Sequence, residues 1–359
     1  MTQMYASADP VSKLPLCLIG FGNAGQAFCR MLLEQHDQVK SAYGVDLQVV
    51  AIATRSKGTL FDPAGLNLRE VLADVDGSQR LSHRQTVFSD ADPLTLIRQC
   101  GAKVMIELST LSIEDGQPAI SHIETAFDSG MHVITGNKGP LAWAYSRLKQ
   151  IADLKALEFL HETTVMDGAP VFNLAKETLP GCKILGFKGI LNSTTNFVLE
   201  RMESGDDYDE ALREAQRQGF AEADPSLDID GWDAAAKTSA LINVLMNGAT
   251  TPLTIDRTGI AAITTEDISA ARDLGGKLKL ICEGRLEDGV AKGFVKPEFV
   301  SSKDLFSTVD ATTSILCLHT DLMGEICMVE RHPEIQQTAY GIFSDTLTLI
   351  RRLAAANRL

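Results

Sequence analysis

Long apolar runs are missing from this chain of 359 residues: none approaches the ~20 needed to cross a bilayer. The first dozen residues carry neither a basic stretch nor an apolar core, which excludes a secretory signal, and Met1 to Ser12 reads as a loose tail. Positive charge is scarce. With 33 Lys and Arg against 47 Asp and Glu, the net charge of −14 argues against nucleic acid or an anionic membrane as partner, because both would be repelled at long range. The seven cysteines (Cys17, Cys29, Cys100, Cys182, Cys282, Cys317, Cys327) form no CxxC pair and lie mostly in apolar contexts. They predict buried, reduced thiols in a cytoplasmic protein. The seven histidines show no HxH or HxxxH spacing, which leaves no zinc site. What remains is an ordinary globular composition, 45% apolar, long enough for two domains. In so acidic a chain, a phosphorylated cofactor or anionic substrate needs a local island of Lys and Arg.

Leu14-Pro-Leu-Cys-Leu-Ile19 reads as a strand and Gln26 to Leu33 as a helix, with Gly20-Phe21-Gly22-Asn23-Ala24-Gly25 between them. Strand, G-x-G-x-x-G, helix is the dinucleotide fingerprint in the context that gives it meaning. Gly20 permits the tight turn, Gly22 lets backbone approach a pyrophosphate, and Gly25 lets helix and strand pack closely. A second strand, Leu47 to Ala53, ends without the Asp or Glu that would hold a ribose 2′-hydroxyl, and Asp46 sits at its wrong end. Arg55 and Lys57 follow instead. They offer charge to a 2′-phosphate, so NADP is favoured with NAD left open; the plainer reading makes both solvent-facing.

Strands at Val104 to Leu108 and His132 to Thr135 alternate with helices at Leu94 to Cys100 and Ala119 to Ser129, as in a parallel sheet with crossover helices. Ligands bind beyond the carboxyl ends of such strands. That draws attention to Ser109, Thr110 and the loop Gly136-Asn-Lys-Gly-Pro140, where Lys138 can reach a substrate carboxylate or a developing alkoxide. A helix over Ala142 to Lys155 and a strand over Leu157 to His161 close this part. The expected fold is α/β: a Rossmann domain over 13–158, then an α+β domain over 159–334 with a mixed or antiparallel sheet. The later strands are expected at Lys277 onward, Val290 to Phe299, Ser314 to His319 and Gly324 to Val329.

Asn192-Ser-Thr-Thr-Asn196 precedes a helix, and Gly219 to Lys237 is a carboxylate-rich loop running into another helix. Asp233 and Lys237 are four apart on that helix, acid first, the favoured orientation for a pair. Ser193 lies where phosphorylating aldehyde dehydrogenases carry a nucleophilic Cys. With no base beside it a hydroxyl is a poor nucleophile, so thioester chemistry is rejected.

The fingerprint, the polar run, Ala221-Glu-Ala-Asp-Pro225 and Asp233-Ala-Ala-Ala-Lys237, in this order, resemble homoserine dehydrogenase. The resemblance implies interconversion of L-homoserine and L-aspartate 4-semialdehyde. It places Asn137 by the nicotinamide and Lys138 at the catalytic centre, and gives Glu222 and Asp228 to the substrate ammonium. Thr194, and Ser193 in place of the family's Gly, face the substrate. On chemical grounds Lys237 is the acid/base, because an ammonium supplies charge and shifts its pKa when desolvated; Asp233 holds it and Lys138 adds charge. The family also implies a homodimer through the second sheet, a last helix (335–359) completing the first domain, and in some members a monovalent cation. Glu162, Val165 and Asp167 fall at that place, but Met166-Asp167 stands where small residues are usual, and Glu330-Arg-His-Pro-Glu334 replaces a Gly-Ala-Gly-like loop. A regulatory amino-acid-binding domain is not expected. The altered loops keep two alternatives open: an oxidoreductase of another small hydroxy or amino alcohol, and an NADP-binding regulator without turnover.

Overall fold

The structure, a computed structural model, describes residues 11–78, 80–81 and 92–359. Residues 1–10 of the expected tail lie outside them, and Ser12 already opens the first strand. The first half runs β1 (Ser12–Ile19), α1 (Asn23–Tyr43), β2 (Val45–Thr54), β3 (Gly58–Phe61), α2 (Leu68–Ser78), α3 (Pro93–Gln99), β4 (Val104–Glu107), α4 (Ala119–Asp128), β5 (His132–Thr135), α5 (Gly139–Leu154) and β6 (Phe159–Leu160). These strands form one sheet in the order β3-β2-β1-β4-β5-β6. Every residue of β4 and β5 is buried, as expected of strands covered by helices on both faces. The direction of chain winding reverses between β1 and β4, where such sheets open a ligand crevice. All neighbours are parallel except β3, which turns back antiparallel on β2. That hairpin has no counterpart in the sequence reading. Its turn is closed by Thr54, whose hydroxyl accepts from Lys57 N at 2.8 Å and donates to Gly58 O at 3.0 Å.

The second half runs α6 (Val171–Asn173), β7 (Ile184–Ile190), α7 (Ser193–Glu203), α8 (Tyr208–Arg217), α9 (Ser226–Ile229), α10 (Trp232–Leu245), β8 (Asp256–Arg257), α11 (Thr265–Asp273), β9 (Gly276–Glu287), β10 (Val290–Ser301), β11 (Ser314–Thr320) and β12 (Glu325–Glu330). The sheet order is β12-β11-β7-β9-β10-β8. Only β10 and β8 pair parallel, so the sheet is mixed. Cys317 and Cys327 face each other across β11 and β12 and are joined by a disulfide, which overturns the expectation of seven reduced thiols. Ten residues of separation conceal a juxtaposition that the antiparallel register creates. The other five are free, and four of them are buried.

Helix α12 (Ile335–Ala355) returns to the first sheet, as the resemblance implied. Its Ala339, Ile342, Phe343 and Leu349 join Leu16, Leu18 and Phe28 in one core. Asp345, 1% exposed, accepts from Glu162 N at 2.8 Å and so ties α12 to the segment after β6. Burial pushes its carboxyl up to about 8, and burial raises that of Glu162 to about 7. A carboxyl whose pKa is raised by folding favours the native state at low pH, and this contribution is lost as pH rises through the folded value. Asp345→Asn keeps an acceptor for Glu162 N but removes the titration. Its Tm should therefore fall less than the parent's between about pH 5 and about pH 9; superimposable Tm profiles would reject this account.

Candidate active site

The first part of the site is a cradle at the crevice. Gly20 has φ +100°, and a Cβ there would lie 2.3 Å from Leu108 O, so β1 and β4 approach as closely as they do only around a glycine. Gly22 caps α1 and has open space where its side chain would be, and no acid occupies the first turn. This geometry fits a pyrophosphate on exposed helix N–H groups. Lys57 donates to Phe21 O at 3.1 Å, which brings one of the two expected cations onto the glycine loop. Arg55 stays exposed. Asn137 joins the loops after β4 and β5, donating to Ser109 O at 3.0 Å and accepting from Gly139 N at 2.9 Å. Ser109 donates its hydroxyl to Glu107, and Thr110 is exposed beside it.

The second part lies where the two halves meet. Lys138 caps α5 at the carboxyl end of β5, while Gly231, in the left-handed region, starts α10 so that Asp233 and Lys237 face the same loop. Asp233 receives both ammonium groups: Lys138 Nζ at 2.9 Å on Oδ1 and Lys237 Nζ at 3.4 Å on Oδ2. All three side chains are only 16–18% exposed. Lys237 also donates to Leu191 O at 2.6 Å. Burial opposes the charge on Asp233, but Lys138 and Lys237 together outweigh it and hold the carboxyl below the ordinary range. Burial likewise opposes the charge on Lys237, yet Asp233, Asp167 and Asp228 reverse the shift, so the expected desolvated lysine is a firmly charged one.

Asn192 is the residue sequence reasoning passed over. It caps α7, accepting from Thr195 N at 2.9 Å, and its amide donates to Asp228 at 2.7 Å and Asp233 at 3.1 Å. An Asn before a helical run is the usual sign of a cap, but nothing local announces the second task. Burial and the Asp233 charge raise the pKa of Asp228. Thr194 is buried; its hydroxyl donates to Phe220 O at 2.7 Å, which anchors the acidic loop, and its side chain also hydrogen-bonds Asp228. Ser193 is half-buried in the first turn, and Glu222 is exposed on the anchored loop. Glu107, fully buried at the end of β4, was also missed; one of its oxygens has no hydrogen-bond partner.

The expected cation residues are otherwise engaged. Glu162 accepts from Phe172 N at 2.7 Å and Asn173 N at 2.8 Å, Val165 is buried in the core, and Asp167 accepts from Thr338 at 2.7 Å. Among the described residues, the one cluster with metal-ligand geometry is Cys317, Glu325 and Cys327, whose thiols form the disulfide. Two altered loops do meet here. Glu330 accepts from Gly168 N at 3.2 Å, and burial together with Asp167 pushes its carboxyl up to about 7.

Residues 170–347 match the family described as homoserine dehydrogenase. The homoserine dehydrogenase of Methanocaldococcus jannaschii is 36% identical over 335 residues, covering 93% of this chain and 98% of that one. The NAD(+)-dependent homoserine dehydrogenase of Pseudomonas canavaninivorans is 32% identical over 338 residues, 94% of this chain and 96% of that one. Among solved structures, a hyperthermophilic archaeal homoserine dehydrogenase mutant in complex with NADPH superposes with a TM-score of 0.80 at 26% identity, covering 95% of this chain and 98% of its own.

Removing the Asn192 amide should loosen α7 and the carboxylates together. Asn192→Ala is expected to lower stability by about 1–2 kcal/mol, the usual cost of a lost cap, and Asn192→Ser to recover part of it. A parent-like Tm for the alanine variant would count against the double role.

Proposed function

This chain belongs to the homoserine dehydrogenase family, and on that premise we propose how its own residues carry the reaction. It is an NAD(P)-dependent oxidoreductase of a CH–OH donor, interconverting L-homoserine and L-aspartate 4-semialdehyde in threonine and methionine biosynthesis. The observation behind the residue roles is the single carboxylate of Asp233 holding an ammonium from each half of the chain.

A nicotinamide dinucleotide held by the glycine cradle would supply or accept the hydride of the substrate carbon. An ammonium has three N–H donors; Lys237 spends them on Leu191 O and Asp233, leaving one for the substrate oxygen. In reduction it gives a proton to the oxygen that becomes the hydroxyl, and in oxidation it takes that proton back. Lys138 spends one donor on Asp233 and turns the others to the same developing negative charge. Asp233 orients both lysines and keeps them charged. The substrate ammonium is taken by Asp228, which Asn192 positions, and by Glu222 from the rim. Ser193 borders the same pocket. Gly20 to Gly25, Ser109, Thr110 and Asn137 hold the dinucleotide, and Lys57 with Arg55 favours the 2′-phosphate of NADP.

The division proposed is residues 13–158 and 159–334, with 335–359 returning to the first part; β6 (Phe159–Leu160), just past the first boundary, still pairs in the first sheet. Val290 and Val329 are exposed on the face of the second sheet turned away from α10, which supports a homodimer across it. The cytoplasm, with its nicotinamide pool, is the compartment that suits the reaction.

Homoserine with NADP should give the absorbance change of reduced nicotinamide. Lys237→Ala should lower kcat by at least ~10²-fold with little change in cofactor affinity, while Lys57→Ala raises KM for NADP more than for NAD. No turnover of homoserine by the parent, with cofactor still bound, would favour a regulator, and near-normal turnover by Lys237→Ala would remove it from the acid/base role. Sedimentation should give the mass of two chains; a monomer at micromolar concentration would reject the dimer.

A further inference from the structure

Away from the paired lysines, a cavity of about 460 Å³ is lined by both halves of the chain, a size suited to a small organic molecule. Lys138, Asp233 and Lys237 do not line it. Its inner wall is aromatic. The His161 ring packs edge-on against Phe172 at 4.7 Å and against Tyr145 and Phe159, both at 5.5 Å. His161 is 8% exposed and lines the space, with its Nδ1 closed off from solvent and without a hydrogen-bond partner.

The rim has the opposite character. In a chain of net charge −14, four cations gather here: Lys149, Lys176, Lys183 and Arg352. Arg352 is paired with Glu158 and Glu177, each at 2.6 Å, and Lys149 with Asp153. Lys176 is exposed, has no ion pair among the described residues and stands near Arg352. The two acids on the wall, Glu162 and Asp345, are turned to the backbone: Glu162 accepts from Phe172 N and Asn173 N, and Asp345 from Glu162 N.

Both helices that carry the lysines reach this cavity. Leu245 on its wall lies eight residues beyond Lys237 on α10, about 12 Å at the helical rise. Helix α5 leaves helical geometry at Ala144 (φ −145°, ψ 15°), between Lys138 and the wall residue Tyr145. The break is held by α10: Asn243 donates to Leu141 O at 3.0 Å and Ala142 O at 3.2 Å, and Ser239 donates to Ala142 O at 3.3 Å. A ligand wedged against Tyr145 and Leu245 would press on the joint that sets one lysine relative to the other.

We propose that this cavity is a second ligand site for a small carboxylic acid with a flat apolar body, its carboxylate on Lys176 and its body on the aromatic wall, and that occupancy is felt at the lysine pair through α5 and α10. Benzoate is the probe and benzyl alcohol the uncharged control. Benzoate should raise the Tm of the whole enzyme saturably and change kcat for homoserine at least twofold without competing with it. Lys176→Met, which keeps the apolar stem, should turn over homoserine like the parent and lose both responses. No Tm rise at millimolar benzoate, an undiminished response in Lys176→Met, or inhibition purely competitive with homoserine would each overturn the proposal. Co-crystals with benzoate need no variant: density in this cavity supports it, and density only at the lysine pair overturns it.

Discussion

A carboxylate shared by two ammonium groups is the constraint on which the rest of this molecule depends. Asp233 is largely removed from solvent, where its charge would be costly alone. Lys138 and Lys237 compensate it, one ammonium on each carboxylate oxygen. Neither lysine could be held so close to the other without the anion between them. The cluster is thus both the electrostatic core of the site and a bond between the halves of the chain, since Lys138 belongs to the first sheet's last crossover and Asp233 to the helix that packs on the second sheet.

The surrounding groups tune that charge. Asn192 spreads two N–H bonds over Asp228 and Asp233 and so keeps neighbouring carboxylates at a fixed separation. Leu191 O draws Lys237 toward β7. Asp167 and Asp228 add to the field on Lys237, enough to outweigh its burial. Desolvation by itself would have made a lysine that loses its proton near neutrality. Counting the nearby carboxylates reverses the outcome and keeps the ammonium charged. Glu330 extends the same acidic surround from the far end of β12, on a loop that departs from the family pattern.

Much of this was legible in the sequence where the information is local. The glycine fingerprint is a matter of consecutive φ angles and close approaches, and Gly20 meets Leu108 O as that motif requires. The pair Asp233 and Lys237 follows from helical spacing, and the capping box at Thr264 and Asp267 from the order of two side chains. Strand alternation was enough for the two sheets. The hairpin β3 was not, because four residues carry too little periodicity. Only the path of the chain reveals that Phe220 O accepts from the Thr194 hydroxyl. The disulfide between Cys317 and Cys327 was invisible for a related reason: register across a turn decides it, not spacing along the chain.

By itself, then, the sequence determined the elements, the dinucleotide loop and the identities of the charged groups, since short-range sterics and hydrogen bonding act between residues a few positions apart. Tertiary structure alone decided that Lys138 and Lys237, 99 positions apart (237 − 138), share one anion, that Asn192 braces it, and which carboxylates remain free. Electrostatic energy depends on distance in space and on exclusion of water. Neither quantity exists until the two sheets have packed their helices together.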